Sequence, residues 1–313
     1  MIVYTDSLDF AEEILYSNKW AKVPAEKVNN EIRVLTEKLL QKKDLYMCNL
    51  RTRTSWKYLL LVENALYSQF DILIKLAQEN IQLPDRILCL AKSGIGFHGF
   101  KNRPWSTDKG NIQLSAFIAP QKEVKHFSTG FLIVSAVSVI QTIDSIRELK
   151  RKAMVKWVND ILIDSSKVCG VLAYTQSQGK ILTGAILGIG LNVNTTPGIS
   201  PTPFVPKVAS LSDFVKSKKS CDQKLIFQRL IHFLDANTKN LLNGKYYKLL
   251  NIYIKRSLII GKYVKVCRDT PEESVVVNYS GKVKGIGENL ELILEDIEPK
   301  ISNGRLIIES QDT

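Results

Sequence analysis

Cysteine and histidine are scarce in this chain, and their scarcity removes two kinds of chemistry at the outset. The five cysteines (Cys48, Cys89, Cys169, Cys221, Cys267) and three histidines (His98, His126, His232) lie far apart, with no paired spacing. A zinc or iron–sulfur site is therefore not expected, and the cysteines read as small buried hydrophobes in a reducing compartment. Long apolar runs are lacking as well. The longest, Phe131 to Ile140, is interrupted by serines and is about half of what a bilayer requires. Acids arrive early, at Asp6, Asp9, Glu12 and Glu13, which speaks against a basic-then-apolar signal peptide and against an acid-poor transit peptide. The expectation is a soluble, cytoplasmic protein with no membrane partner.

What is present is ordinary for a globular chain, apart from its charge. With 313 residues, 45% hydrophobic and 24% charged, there is enough material for one large domain and a small one. The net charge of +12 favours acidic partners of any kind. Basic residues are dispersed, with local clusters only at Lys150–Arg151–Lys152 and at Lys216, Lys218 and Lys219. Charge alone does not choose the partner.

Residues 1–43 read as an N-terminal helical extension, with Val28, Ile32, Leu35, Leu39 and Leu40 at helical spacing and no evident chemistry. From Trp56 the texture changes. Tyr58–Val62 and Ile87–Leu90 are buried-strand runs, Leu66–Leu76 has helical spacing, and Gly94–Gly99 is a glycine-rich loop. Ile112–Ile118 alternates as a strand, and Thr129–Leu149 is a long helix. Two strand pairs follow, Val155–Trp157 with Ile161–Ile163 and Val168–Tyr174 with Leu182–Leu187, then a proline-rich loop and a helix over Leu225–Leu242. This is an α+β arrangement, a mixed sheet with packed helices, over 44–255. Residues 256–313 carry five short strands with glycine turns, which predict a small β-barrel.

One segment carries chemistry. Val155-Lys156-Trp157-Val158-Asn159-Asp160-Ile161 is followed by Lys167 and by Gly170-Val171-Leu172. An Asn and an Asp at a tight turn offer hard oxygen ligands of the kind Mg²⁺ prefers beside phosphate. A lysine seven residues later can project back to neutralise a carboxylate or phosphate oxygen, and the glycine lets a ligand approach the backbone. Spacing alone equally fits a plain hairpin with a solvated Asp and Lys. A third piece, Gly188-Ile189-Gly190-Leu191-Asn192, is weak by itself, because strand glycines often mark only bulges.

Taken together, these pieces resemble the catalytic domain of the biotin/lipoate protein ligases. That family carries a Lys-Trp-Pro-Asn-Asp turn, a lysine seven residues beyond its Asp, a Gly-Ile/Val-Leu strand and a later Gly-x-Gly-x-Asn. The chain matches all four in order, with Val158 in place of the proline. Asp44 to Leu73 resembles the entry into this domain in eukaryotic-type biotin ligases (holocarboxylase synthetase), with Ser68-Gln69 at a family Ser-Thr pair. Ala209-Ser210-Leu211 matches a family Ser-Leu pair, and the C-terminal barrel resembles the SH3-like module that follows in biotin ligases. The resemblance spans roughly residues 44 to 310.

It implies a class II synthetase-like fold and ATP-dependent joining of biotin to a lysine on carboxylase carrier domains, through a biotinyl-adenylate. By resemblance, Lys167 would be catalytic and contact the biotin carboxylate, and Ser68, Gln69, Gly94, Gly96 and Gly170 would line the biotin site. Trp105, Asn159, Asp160 and Asn192, with His98, Lys101 or Arg103, would bind ATP, and Asp160 and Asn192 would hold Mg²⁺. The glycine-rich loop departs from the family pattern. Ile95 and Phe97 stand where the family has arginines, and Ala91 or Lys92 replaces a glutamine. Two alternatives therefore stay open: a catalytically weakened relative that binds a ligand or partner, and a lipoate or octanoate ligase. Nucleic acid is a poorer partner, since residues 1–43 show no turn and recognition helix; a homodimer is left open.

Overall fold

The computed structural model describes residues 1–16, 19–269 and 275–309. In chain order the larger part comprises β1 (Ile2–Thr5), α1 (Leu8–Ile14), β2 (Ala21–Pro24), α2 (Asn30–Leu40), β3 (Asp44–Asn49), β4 (Tyr58–Ala65), α3 (Gln69–Gln78), β5 (Ile87–Gly94) and β6 (Ile112–Ile118). It continues with β7 (Lys122–Glu123), α4 (Phe127–Asp144), β8 (Met154–Lys156), β9 (Asp160–Ile163), β10 (Ser166–Gln178), β11 (Ile181–Leu191), α5 (Gln223–Leu242) and α6 (Tyr246–Lys255). The smaller part holds β12 (Tyr263–Cys267), β13 (Val277–Ile286), β14 (Leu292–Leu294) and β15 (Arg305–Ile308). The main sheet runs β2-β3-β1-β4-β5-β6-β11-β10-β9-β8, with β7 beside β11. It is mixed: β1, β4 and β5 are parallel neighbours, and the other pairs are antiparallel.

Burial on both faces explains the unbroken apolar run of β4. Leu59 and Leu61 join the core beneath α1, α4, α5 and α6, whereas Tyr58, Leu60 and Val62 join the opposite core beneath α2 and α3. A strand covered on both sides loses the alternation of a one-sided strand. Helix α4 is apolar all round because it too is enclosed, packing on β10, β11, α5 and α6. By length and composition it could cross a membrane, but here it is the core helix. Its fully buried hydroxyls donate within the helix: Ser135, Ser138 and Thr142 donate to the carbonyls of Phe131, Val134 and Ser138.

Two sequence expectations need correction. Residues 1–43 are not a helical extension: β1 and β2 lie in the main sheet, and Val3 pairs with both Leu59 and Cys48. The helical spacing is real, but only for α2, whose Ile32, Leu35, Leu39 and Leu40 are buried. The strands escaped notice because each has only four residues, too few for a period to show. The sheet therefore begins well before residue 44. In the C-terminal part four strands, not five, are described. The expected strand Lys282–Ile286 is the second half of a longer strand, β13, which starts at Val277 and runs straight through Gly281, paired there with Val264. Of the expected strand Ser274–Val277 only Val277 belongs to it; Val275 and Val276 lie outside any strand, and Ser274 lies outside the described residues.

The two sheets share one core. Val264, Val266, Leu292 and Leu306 belong to the same buried cluster as α4 and α6. Trp157 Nε1 donates to Leu290 O at 2.6 Å, and Tyr246 donates its hydroxyl proton to Glu288 O. These contacts bring the start of β15 to the rim of a cleft in the main domain.

Candidate active site

The cleft has a volume of about 340 Å³, within the range of small-molecule sites. Its floor is the glycine-bearing part of β10 and β11. The β8–β9 hairpin, residues 97–106, the loop over 197–205 and the start of β15 form its walls. Gly170 pairs with both Gly190 and Asp160, so the three motif segments meet at one register position.

Lys167 is gripped by its backbone on both sides. Its N–H donates to Lys207 O (2.9 Å), and its carbonyl accepts from Ala209 N (3.0 Å). The side chain enters the cleft, where Nζ lies 2.7 Å from Asp160 Oδ1, each side chain about four-fifths buried. The same ammonium lies 5.4 Å from the centroid of the Trp105 ring, within cation–π range. Trp105 in turn lies flat on the glycine floor. A Cβ on Gly190 would fall 2.3 Å from Trp105 Cε2, and one on Gly170 would fall 3.2 Å from Cζ3. The indole N–H donates to Gln113 Oε1 at 2.8 Å.

The amides are fixed by backbone partners. Asn192 Nδ2 donates to Ala209 O (3.1 Å) and Asn159 Nδ2 to Val171 O (3.0 Å). Asn192 Oδ1 remains buried without a partner, an acceptor aimed at a missing donor or cation. This orphaned oxygen suits Mg²⁺, a hard ion that keeps water and phosphate ligands. Asp160 already faces Lys167, and no cluster of three or more His, Cys, Asp or Glu exists among the described residues. The donor set thus fits an ion that arrives with its phosphates rather than a dedicated protein cage.

Ser68 lines the cleft as the N-cap of α3, its Oγ accepting from Asp71 N at 3.4 Å. His98, Arg103, Asn159 and Gly170 line it too. Four expected site residues do not. Gln69 is fully buried; with its amide oriented to satisfy both groups, it donates to Cys89 O and accepts from Ala91 N, which ties α3 to β5. Gly94 sits beneath the Phe97 ring, which a Cβ would strike at 2.6 Å, and Gly96 is at the loop tip with φ +71°. Lys101 points to solvent from a left-handed position (φ +58°).

Three lining residues were missed. Lys156, inside the quoted motif, is 8% exposed and donates to Phe204 O. Burial lowers its pKa to about 8, helped by the positive charges of Lys167, Arg305 and Arg103 and opposed by Asp160. Arg305 reaches the cleft from β15 and stacks on Phe204 at 3.6 Å; no local pattern announces it. Gln113 is one of two polar residues, with Ser115, in β6, and it stands directly across from Ala91, one of the two residues that could take the place of the family's glutamine.

The departed glycine-rich loop has its own latch. His98 Nε2 lies 2.9 Å from the Asp71 carboxylate and Nδ1 lies 3.0 Å from Gly99 O. Both partners are acceptors, so only the imidazolium satisfies both. Burial works against that charge, but the bonds to Gly99 and Asp71 prevail, and the His98 pKa is raised above its ordinary 6.5. The folded latch therefore binds protons more tightly than the open loop. Its contribution is complete below about pH 6.5 and is lost as pH rises through the folded value. Trypsin cleavage after Lys101, normalised to a free peptide at each pH, should accelerate across that interval. In Asp71→Asn the acceleration should disappear; an identical profile would refute the latch.

Residues 74–192 match the model of the biotin/lipoate A/B protein ligase family. The bifunctional ligase/repressor BirA of Bacillus subtilis is 24% identical over 220 residues, 70% of this chain and 64% of that protein. The chain thus spans less than two thirds of that relative's length. The biotin–[acetyl-CoA-carboxylase] ligase of Paracoccus denitrificans is 24% identical over 108 residues, 34% of this chain and 45% of that protein. The biotin protein ligase of Aquifex aeolicus, solved with biotin and ATP, superposes with a TM-score of 0.61 at 20% identity, covering 81% of this chain and 99% of that one; it has the same fold. The matched segment, residues 74–192, holds β5, the glycine-rich loop, the Asn159–Asp160 turn, Lys167 and Asn192.

Proposed function

We propose that this chain activates the carboxylate of biotin with ATP and transfers the acyl group to a lysine of a carboxylase carrier domain. The observation that carries the reading is the Lys167 ammonium, held inside the cleft against Asp160 and above the Trp105 ring. An acid ligand entering there meets a cation whose own counter-ion, Asp160, is shared. When ATP and Mg²⁺ are bound, they supply the phosphoryl electrophile. The chain's own groups bring the acid to it, spread the negative charge and exclude water. The acyl-adenylate then needs only the acceptor amine, and no covalent enzyme intermediate is required. Purified protein with ATP, Mg²⁺, biotin and an apo carrier domain should yield a biotin-labelled carrier. No label, together with no biotin-dependent exchange of pyrophosphate into ATP, would overturn the reading.

One observation favours a slower enzyme. Ile95 is 67% exposed, Phe97 packs over Gly94, and Lys101 faces solvent, so Arg103 is the only arginine of this loop at the cleft. Arginine forks grip phosphate in a planar, bidentate way that lysine does not reproduce. Faster escape of the acyl-adenylate into solution is the expected signature, read as free lysine-modifying activity on a non-cognate protein. The cytoplasm, as a reducing compartment, suits five buried cysteines and belongs to the same proposal.

A further inference from the structure

Gln113 has no role in the chemistry described so far, yet it is placed as a binding residue. It lies on β6, is 3% exposed and lines the cleft. Its Oε1 accepts from the Trp105 indole, and its Nε2 is buried without a partner. A buried amide donor left unpaired carries a full desolvation penalty. It is tolerated where a ligand brings the acceptor.

Register fixes which part of a ligand that is. Along the floor, Gly188 pairs with Ser115 and packs on Phe70 of α3, Gly190 pairs with Gln113, and Gly170 pairs with Asp160 beside Lys167. The cleft therefore has a pole of neutral polar groups, Ser68 at the start of α3 with Ser115 and Gln113 on β6, and a cationic pole, Lys167 on β10 with Lys156 on β8; His98, which also lines it, is paired with the Asp71 carboxylate. An acid with its carboxylate at Lys167 places its far end at the neutral pole. A neutral N–H donor there matches an uncharged carbonyl oxygen.

We infer that Gln113 is a specificity-determining residue whose Nε2 donates to a carbonyl on the head of the acid ligand, selecting cyclic-urea acids over acids with a carbonyl-free head. This rests on the proposed biotin-ligase reading and adds to it the residue that makes the choice among acids. A hydrocarbon or dithiolane head would leave Nε2 unpaired in the complex, and sites built to bond a polar group discriminate in this way.

The test is calorimetric binding of four acids to the full chain: biotin and desthiobiotin, which carry a ring carbonyl, and lipoate and octanoate, which do not. Gln113→Met should weaken the first two by about 10- to 100-fold and change the last two by less than about threefold. Gln113→Glu keeps the shape and the acceptor for Trp105 while removing the donor, and it should show the same selectivity; melting curves identify either variant that fails to fold. In Trp105→Phe the indole N–H is gone. If Gln113 acted only by holding that ring, Gln113→Met would be silent in this background; the inference requires the selective loss to persist. Equal losses for all four acids, no loss, or silence in Trp105→Phe would overturn the inference while leaving the ligase reading intact. A wild-type chain that binds none of the acids would overturn both.

Discussion

Replacing Lys167 with methionine is expected to slow acyl-adenylate formation by about 10²- to 10³-fold, the usual effect of deleting one preorganised charge-stabilising group. Methionine keeps most of the apolar stem, so the packing over Trp105 survives while the cation is lost. Two effects add. The acid ligand loses its counter-charge, and Asp160, now unpaired at 2.7 Å from the vacated Nζ position, repels an incoming carboxylate. The second effect can be removed separately. Asp160→Asn in the Lys167→Met background should recover ligand affinity while leaving the rate of biotin-dependent pyrophosphate exchange low. The thermal midpoint should move by only on the order of a few degrees, because the pair lines the cleft rather than the hydrophobic core. Exchange within threefold of wild type would show that Lys167 is not the residue that receives the acid, and the function proposed above would have to be given up.

The site was legible in the sequence where the chain keeps its chemistry in short segments. Asn159, Asp160, Lys167 and Gly170 share one hairpin and its returning strand; local spacing put them on that hairpin, and the family resemblance marked it as a site rather than a solvated turn. What spacing cannot supply is a cross-strand neighbour. Gln113 faces Ala91 and Gly190 through sheet pairing, and nothing within β6 says which strands flank it. Arg305 is a more distant case: it arrives at the cleft because a second sheet docks against Trp157 and α6. The N-terminal strands were missed for a different reason. A four-residue strand has no period to read, and the strong helical spacing of α2 nearby lent its character to the whole segment. The glycine-rich loop misled in the opposite direction, since its glycines survive while Phe97 between them turns inward and Lys101 just beyond them turns outward. Glycine reports backbone shape, not which side chain reaches a ligand.

Gly190→Ala carries the second large expected effect, and it isolates the role of the floor. The added Cβ would sit 2.3–2.6 Å from three atoms of the Trp105 ring, far inside any van der Waals contact. The strand backbone, paired on both sides with Gly170 and Gln113, cannot retreat, so the ring must lift. Lifting it breaks the 2.8 Å bond to Gln113 and moves the ring away from Lys167. A loss of nucleotide and acid affinity of about 10- to 100-fold should follow, with a changed near-ultraviolet tryptophan signal. Trp105 is carried by a loop, so global stability should fall little. Gly179→Ala provides the contrast. That residue forms the β10–β11 turn at φ +57° with open space around it, so alanine there should cost about 1 kcal/mol of stability through backbone strain while leaving binding unchanged. If Gly190→Ala kept both the tryptophan signal and the affinity of the wild type, Trp105 would not be seated on the glycine pair, and the inner wall of the cleft would have to be reassigned.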